Sequence, residues 1–402
     1  MDQGNCRQFM LLLLLLVGAL FVVSIGACSW SGNPYGFIDR SGRLVHEFLD
    51  LRELTPSHNG SLYPFSCERA LVSYGDRFLF VRKDTSRLSG SFPNARSFSE
   101  GLAAVCLFDD PQRWGYIDTE GVMVIKPDFH QAGPFSEGLA AVRILNKETW
   151  QFIDKSGSVA IAGPFEDAGK FSCGLAAVRK AGKWGFIDRS GKFVIPPVWH
   201  TVGDFHEGVV WLEMNASSAP VQTGKRVYMD TRGASLFECA PKDWTKDLFF
   251  PRPAPKAVSF YKFGGYDSEE DLFIPFVESG DCFEGLIVRQ VGDKFGYCDS
   301  HGVMKIAPQF DYAWHFSGGR ARVYSKHEQG LYGFIDRAGN VVIHPQYKRA
   351  GQFSEGLAAV GDGGLYRYVD SSGQQAVPGA FLNASRFSSG LAGVGEFHPY
   401  EF

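Results

Sequence analysis

Apolar and polar positions alternate in short bursts along this chain, and the bursts return in the same order. Phe171-Ser172-Cys173-Gly174 leads into the apolar run Leu175-Ala176-Ala177-Val178. A polar step then gives Trp184-Gly185-Phe186-Ile187-Asp188, and Val194-Ile195-Pro196 closes the unit after Gly191. Each burst is too short for a helix and is bounded by glycine or charge, so the pattern predicts three short strands per unit. The first phrase recurs at 98–105, 135–142, 353–360 and 387–394. Its closing glycine falls at 101, 138, 174 and 208, in steps of 37, 36 and 34, and again at 285, 319, 356 and 390, in steps of 34, 37 and 34. A repeat of about 35 residues is the organising fact of the sequence.

The aspartate closing the second phrase marks Asp39, Asp118, Asp154, Asp188, Asp230, Asp267, Asp299, Asp336 and Asp370. A copy without it lies at Phe78 to Arg82, and a degraded copy at Lys262 to Asp267 fills the gap of 77 between Gly208 and Gly285. About ten units result, with a proline-rich irregular insertion near 214–257. Asp followed three residues later by Gly is a turn signature: the carboxylate accepts from the N–H two residues on, and glycine takes the positive φ. The aspartates are therefore expected as turn formers. The aromatic before each glycine, and the Phe of the first phrase, are expected to stack between units.

With Trp114-Gly115 and Trp184-Gly185 intact, and softened pairs at Tyr35-Gly36, Phe263-Gly264, Phe295-Gly296 and Tyr332-Gly333, the chain resembles the WG-repeat family. The resemblance implies repeats of this kind in bacteria and no defined activity. Three strands per unit and ten units do not match a typical propeller of four-stranded blades, commonly four to eight in number. The expected fold is all-β, an open β-solenoid or stacked-hairpin array with the copies near Tyr35 and Phe78 as end caps. A β-propeller-like ring is the alternative.

Residues Phe9 to Val23 are almost wholly apolar, with Arg7 ahead of them, as in a signal peptide. Ile25-Gly26-Ala27-Cys28-Ser29 resembles the lipobox of bacterial lipoproteins. That resemblance implies a signal segment at 1–27, lipidation of Cys28, a mature chain 28–402 anchored in the membrane by its N-terminal lipid, and, from Ser29, delivery to the outer membrane. The remaining cysteines, Cys67, Cys106, Cys173, Cys239, Cys282 and Cys298, are expected as scattered small core residues.

Forty Lys+Arg against 44 Asp+Glu leave a formal charge of −4, so no basic surface points to nucleic acid. Motifs for metal, nucleotide or nucleophilic-elbow chemistry are missing, which leaves catalytic, cofactor and metal residues unassigned. His130, His200, His315 and His344 are placed in loops between strands as solvated or locally bonded side chains. The expected function is a non-catalytic, lipid-anchored envelope module that binds a protein partner or a cell-wall polymer such as peptidoglycan. The competing expectation is an envelope hydrolase on a propeller-like scaffold, recognisable by carboxylates or histidines converging in one place.

Overall fold

The two-residue turn inside each first phrase sets the local structure. In a computed structural model, Ser136 and Leu139 exchange backbone hydrogen bonds of 2.9 and 3.2 Å around Glu137 and Gly138, whose φ angles are 53° and 79°. That is the geometry of a tight hairpin that needs positive φ at both central residues. The strand before this turn is the element that the sequence pattern conceals. In the unit at 167–199 the strands are Asp167–Ser172, Leu175–Lys180, Lys183–Ile187 and Phe193–Trp199, joined antiparallel in that order. The module thus has four strands, here called a to d, and single bridges at Phe92 and Ala95 stand where the units at 61–92 and 95–129 lack one.

The structure describes residues 35–47, 61–74, 77–84, 86–88, 90–107, 113–145, 147–214, 225–239, 281–326 and 330–398. The signal segment, Cys28, the copy at 262–267 and most of the 214–257 insertion lie outside them. Among the described residues the strands form seven sheets. Six follow one another from Ser61 to Tyr347, and a seven-stranded sheet closes the ring. The six- and seven-stranded sheets each join two modules through one ten-residue strand, Met123–Ala132 and Gln375–Ala384. Counted by module, the ring runs 61–92, 95–129, 130–165, 167–199, 201–239, 282–310, 312–347, 349–381, and 382–398 completed by 35–47. These are modules 1 to 9.

The expectation of an open solenoid is therefore corrected: the fold is a closed β-propeller ring. Tyr35–Asp39, expected as part of a cap, pairs residue for residue with the last strand, from Tyr35 opposite Gly395 to Asp39 opposite Leu391. Ser388 Oγ of module 9 donates to the Phe65 oxygen of module 1 at 2.7 Å. Among the described residues no end is left to cap. Modules 5 and 6 are also direct neighbours despite the long segment between them, since the Glu207 carboxylate accepts from the N–H groups of Glu284 and Gly285 at 2.9 and 2.6 Å.

Aromatic pairs between modules form the core. The Phe of each first phrase meets, edge to face, the aromatic ring two residues past the Trp position of the preceding module. Eight such pairs encircle the ring: Phe37–Phe65, Phe80–Phe98, Tyr116–Phe135, Phe152–Phe171, Phe186–Phe205, Tyr297–Phe316, Phe334–Phe353 and Tyr368–Phe387, all at 4.8 to 5.0 Å. Between modules 5 and 6 Cys282 stands in the Phe position and packs in one cluster with Tyr228. Each pair adds about 0.5–1.5 kcal/mol beyond area burial. The stacking expected of the Trp position thus belongs to its neighbour two residues on, while Trp114, Trp150 and Trp184 are buried within the same clusters.

The Trp-Gly glycine has a packing reason. A Cβ on Gly185 would sit 2.6 Å from the Ile195 oxygen and 2.7 Å from the Pro197 nitrogen, where strand d bulges over strand c. Gly185→Ala is expected to cost about 1–3 kcal/mol, as overpacking against backbone does. Guanidinium unfolding measures it, and an unchanged midpoint would contradict the close approach. The repeated aspartates act as expected: Asp154 Oδ1, for one, accepts from Ser156 N and Ser158 N at 2.9 and 3.1 Å.

Candidate acid–base site

Strand a is the inner strand of each module. Its second phrase residue is serine in seven modules, and each serine donates Oγ at 2.6–2.7 Å to the Phe-position oxygen of the next module. Two modules break this ladder: His206 stands in the serine position of module 5 and Phe283 in that of module 6. Rings replace the missing hydrogen bonds. His206 lies against Phe283 at 4.6 Å between centroids, and Phe283 stacks on His315 of module 7 at 4.1 Å.

Further departures from the repeat gather at the same seam. The third residue of the Leu-Ala-Ala-Val run is Ala in modules 2, 3, 4 and 8, but Trp211 in module 5 and Arg322 in module 7. The residue before the Phe position is Pro64, Ser97 and Pro134 in modules 1 to 3, whereas modules 4 to 7 carry Lys170, Asp204, Asp281 and His315. Asp204 and His206 follow the strand Thr201–Val202, with Asp204 near Lys170 of module 4 and His206 near Asp281 of module 6.

The groups meet there. His206 Nε2 is 3.7 Å from Asp281 Oδ2, beyond a hydrogen bond, and Trp211 Nε1–H donates to Asp281 Oδ1 at 3.1 Å. Lys170 Nζ is 3.8 Å from Asp204 Oδ2. Burial, reinforced by the charge of Asp204, lifts the Asp281 carboxyl to about 7 against the pull of the Trp211 N–H and of Arg226 and Lys170. Burial takes His315 down to about 4, with Arg322, His206 and Arg386 adding to the fall and the Gln352 contact opposing it. Burial also lowers His206. Between about pH 4 and 7 the carboxyl therefore holds its proton while the imidazole of His315 holds none, the reverse of their ordinary order. Phe283 packs against His206 and His315, and His206 in turn lies 3.7 Å from Asp281, so the seam holds a proton donor and a proton acceptor. Cys282 is no nucleophile here, since burial and the Glu207 carboxylate push its thiol up to about 12.

Of the histidines placed in loops by sequence, His315 lies in strand Tyr312–Ser317 and His130 in Met123–Ala132. His344, in Val341–Tyr347, and His200 are exposed. Asp204, His206, Trp211, Asp281 and Arg322 were not assigned from sequence. Their signal was present: each is a copy that departs from its own repeat, and the departures fall in adjacent modules.

The WG containing repeat model matches residues 114–147, 150–184, 184–216, 295–325 and 332–366, so this repeat is present over part of the chain. No curated protein matches the chain in sequence. Among solved structures, the chain is similar to a eukaryotic initiation factor, with TM-score 0.47 and 11% identity over 82% of this chain and 86% of that one. It is also similar to the catalytically inactive virginiamycin B lyase from Staphylococcus aureus with quinupristin, with TM-score 0.31 and 10% identity over 91% and 99%. A streptogramin B lyase gives TM-score 0.33 and 9% identity over 91% and 98%. The expectation of a non-catalytic binding module, no enzyme, is corrected. It rested on the lack of converging acid and base groups, and these converge between modules 5 and 7.

Proposed function

We propose that the protein is a propeller-borne hydrolase that works by general acid–base catalysis at the seam of modules 5 to 7. The supporting observation is the pair of inverted titrations at one seam: Asp281, held protonated, lies 3.7 Å from His206, and the Phe283 ring packs against both His206 and His315, the latter held neutral. The chemistry this pair offers is cleavage of a C–O bond. His315 takes a proton from an attacking water as its oxygen bonds to the electrophilic carbon, and Asp281 gives its proton to the departing oxygen. The two groups then return to their starting states through solvent. The Trp211 N–H fixes the carboxyl's position. The substrate class is a glycoside or ester, such as a cell-wall polymer carries.

The test uses aryl glycosides and aryl esters as chromogenic probes with the purified protein from pH 4 to 8. Turnover that falls with Asp281→Asn supports the reading. No turnover of either class, or turnover indifferent to that substitution, ends it.

We also propose that the protein is exported and lipid-anchored through Cys28, as the lipobox resemblance implies. Cys28→Ser is expected to abolish acyl labelling and to move the protein from the membrane to the soluble fraction. A Cys28→Ser protein still sedimenting with membranes would refute the anchor.

A further inference from the structure

Arg322 is the most deeply buried charge among the described residues at this seam, 3% exposed. Its third-position counterparts in modules 2, 3, 4 and 8 are alanines, so the ring itself has no use for a guanidinium there. Among the described residues no carboxylate pairs with it; Tyr332 and Tyr297 oppose the fall that burial imposes on its ionisation, and its charge in turn bears on His315. Its Nη1 donates to the Ala350 oxygen, while its Nε, within the buried side chain, has no partner. The guanidinium lies over the Trp314 ring at 4.2 Å and beside Tyr332 at 5.4 Å. Trp314 is 2% exposed, and its indole Nε1–H is a second buried donor without a partner.

Two adjacent buried donors, one carrying a full positive charge, are costly to leave unmade. Cation–π contact offsets part of that cost and satisfies neither N–H. We infer that Arg322 and Trp314 form an anion subsite, and that its ligand is a carboxylate. The fork of a guanidinium matches a planar two-oxygen acceptor. A single charge walled by Trp314, Tyr332 and Tyr297 suits a monoanion and disfavours a hydrated dianion, whose desolvation would exceed what one cation returns. His315 follows Trp314 in the chain and feels the charge of Arg322. That this carboxylate is carried by the substrate rests on the hydrolase reading; the binding of a carboxylate at Arg322 does not.

The experiment follows thermal unfolding of the purified chain with sodium formate and sodium acetate, each against sodium chloride at equal ionic strength. A saturable rise in Tm with the carboxylates is expected, and chloride should give less. Arg322→Met keeps an unbranched stem and removes the guanidinium and its charge. An apolar group of similar size in place of an unpaired buried cation folds at little cost. This variant should lose the saturable shift, with at least tenfold weaker formate binding by calorimetry. Trp314→Phe keeps the stacked ring, removes the N–H and should weaken formate severalfold. Asp281→Asn should bind formate as the wild type does, which separates this subsite from the catalytic reading. Equal shifts with chloride and formate, or an undiminished formate shift in Arg322→Met, would overturn the assignment.

Discussion

Asp281→Asn is expected to lower kcat/KM by about 10²–10⁴-fold on whichever chromogenic probe is cleaved, the loss typical of removing a positioned proton donor. The wild-type profile should be bell-shaped, rising as His315 loses its proton near 4 and falling as Asp281 loses its proton near 7. The two limbs belong to a coupled set, because Asp204 bears on Asp281 while His206 bears on His315. Asparagine removes the alkaline limb and leaves the acid one. Stability gives the second readout. A carboxyl lifted by burial keeps in the folded state a proton that the unfolded chain releases in the ordinary carboxylate range. Its contribution is therefore full at acid pH and is lost as pH rises toward about 7, at about 1.4 kcal/mol for each pH unit crossed between the two titrations. The Asn variant escapes that loss and should melt several degrees higher than the wild type at pH 8, with little difference at pH 4. A protein made less active and more alkali-stable by one substitution fits a functional acid, and a simple packing lesion would lower both. An Asn variant that melts lower at pH 8 would contradict the burial of this carboxyl.

The turn chemistry was legible in the sequence because it is local. Asp154 and Gly157 lie three residues apart and need only each other's backbone. Strand a was not, since Asp167-Ala168-Gly169-Lys170 shows neither alternation nor β-branched residues; it becomes a strand because Leu175–Lys180 offers it an edge. Closure was not legible either. Tyr35 opposite Gly395 is a pairing across 360 residues that leaves no mark on either segment alone. The candidate site lay between these extremes. His206, Phe283, Trp211 and Arg322 are conspicuous only against the serines and alanines of the other copies, and what they do depends on which modules the ring makes neighbours.

Deleting residues 35–47 is expected to abolish the cooperative folding of the whole ring. An open array predicts the opposite, for there each unit touches only its neighbours and loss of an end unit subtracts a modest increment. In the ring these residues supply the third and fourth strands of module 9 and seal it against module 1. Phe37 is 1% exposed, edge to face on Phe65, and Ile38 is fully buried in the core of modules 8 and 9. Burying those two side chains contributes roughly 3–6 kcal/mol together. Their removal also bares Phe65, Val72 and Leu391, which share the sealed cluster, and unpairs the edge of Leu391–His398. Against a total stability of about 5–15 kcal/mol, that sum is decisive. The shortened chain should show no sharp melting transition, or should assemble into oligomers in which one copy's open edge takes up another's. A synthetic peptide of residues 35–47 added in trans should restore a cooperative transition by adding the missing strand. Melting followed by circular dichroism, beside size-exclusion chromatography, decides it: a shortened monomer that unfolds as sharply as the full chain would mean that the ring does not depend on its clasp.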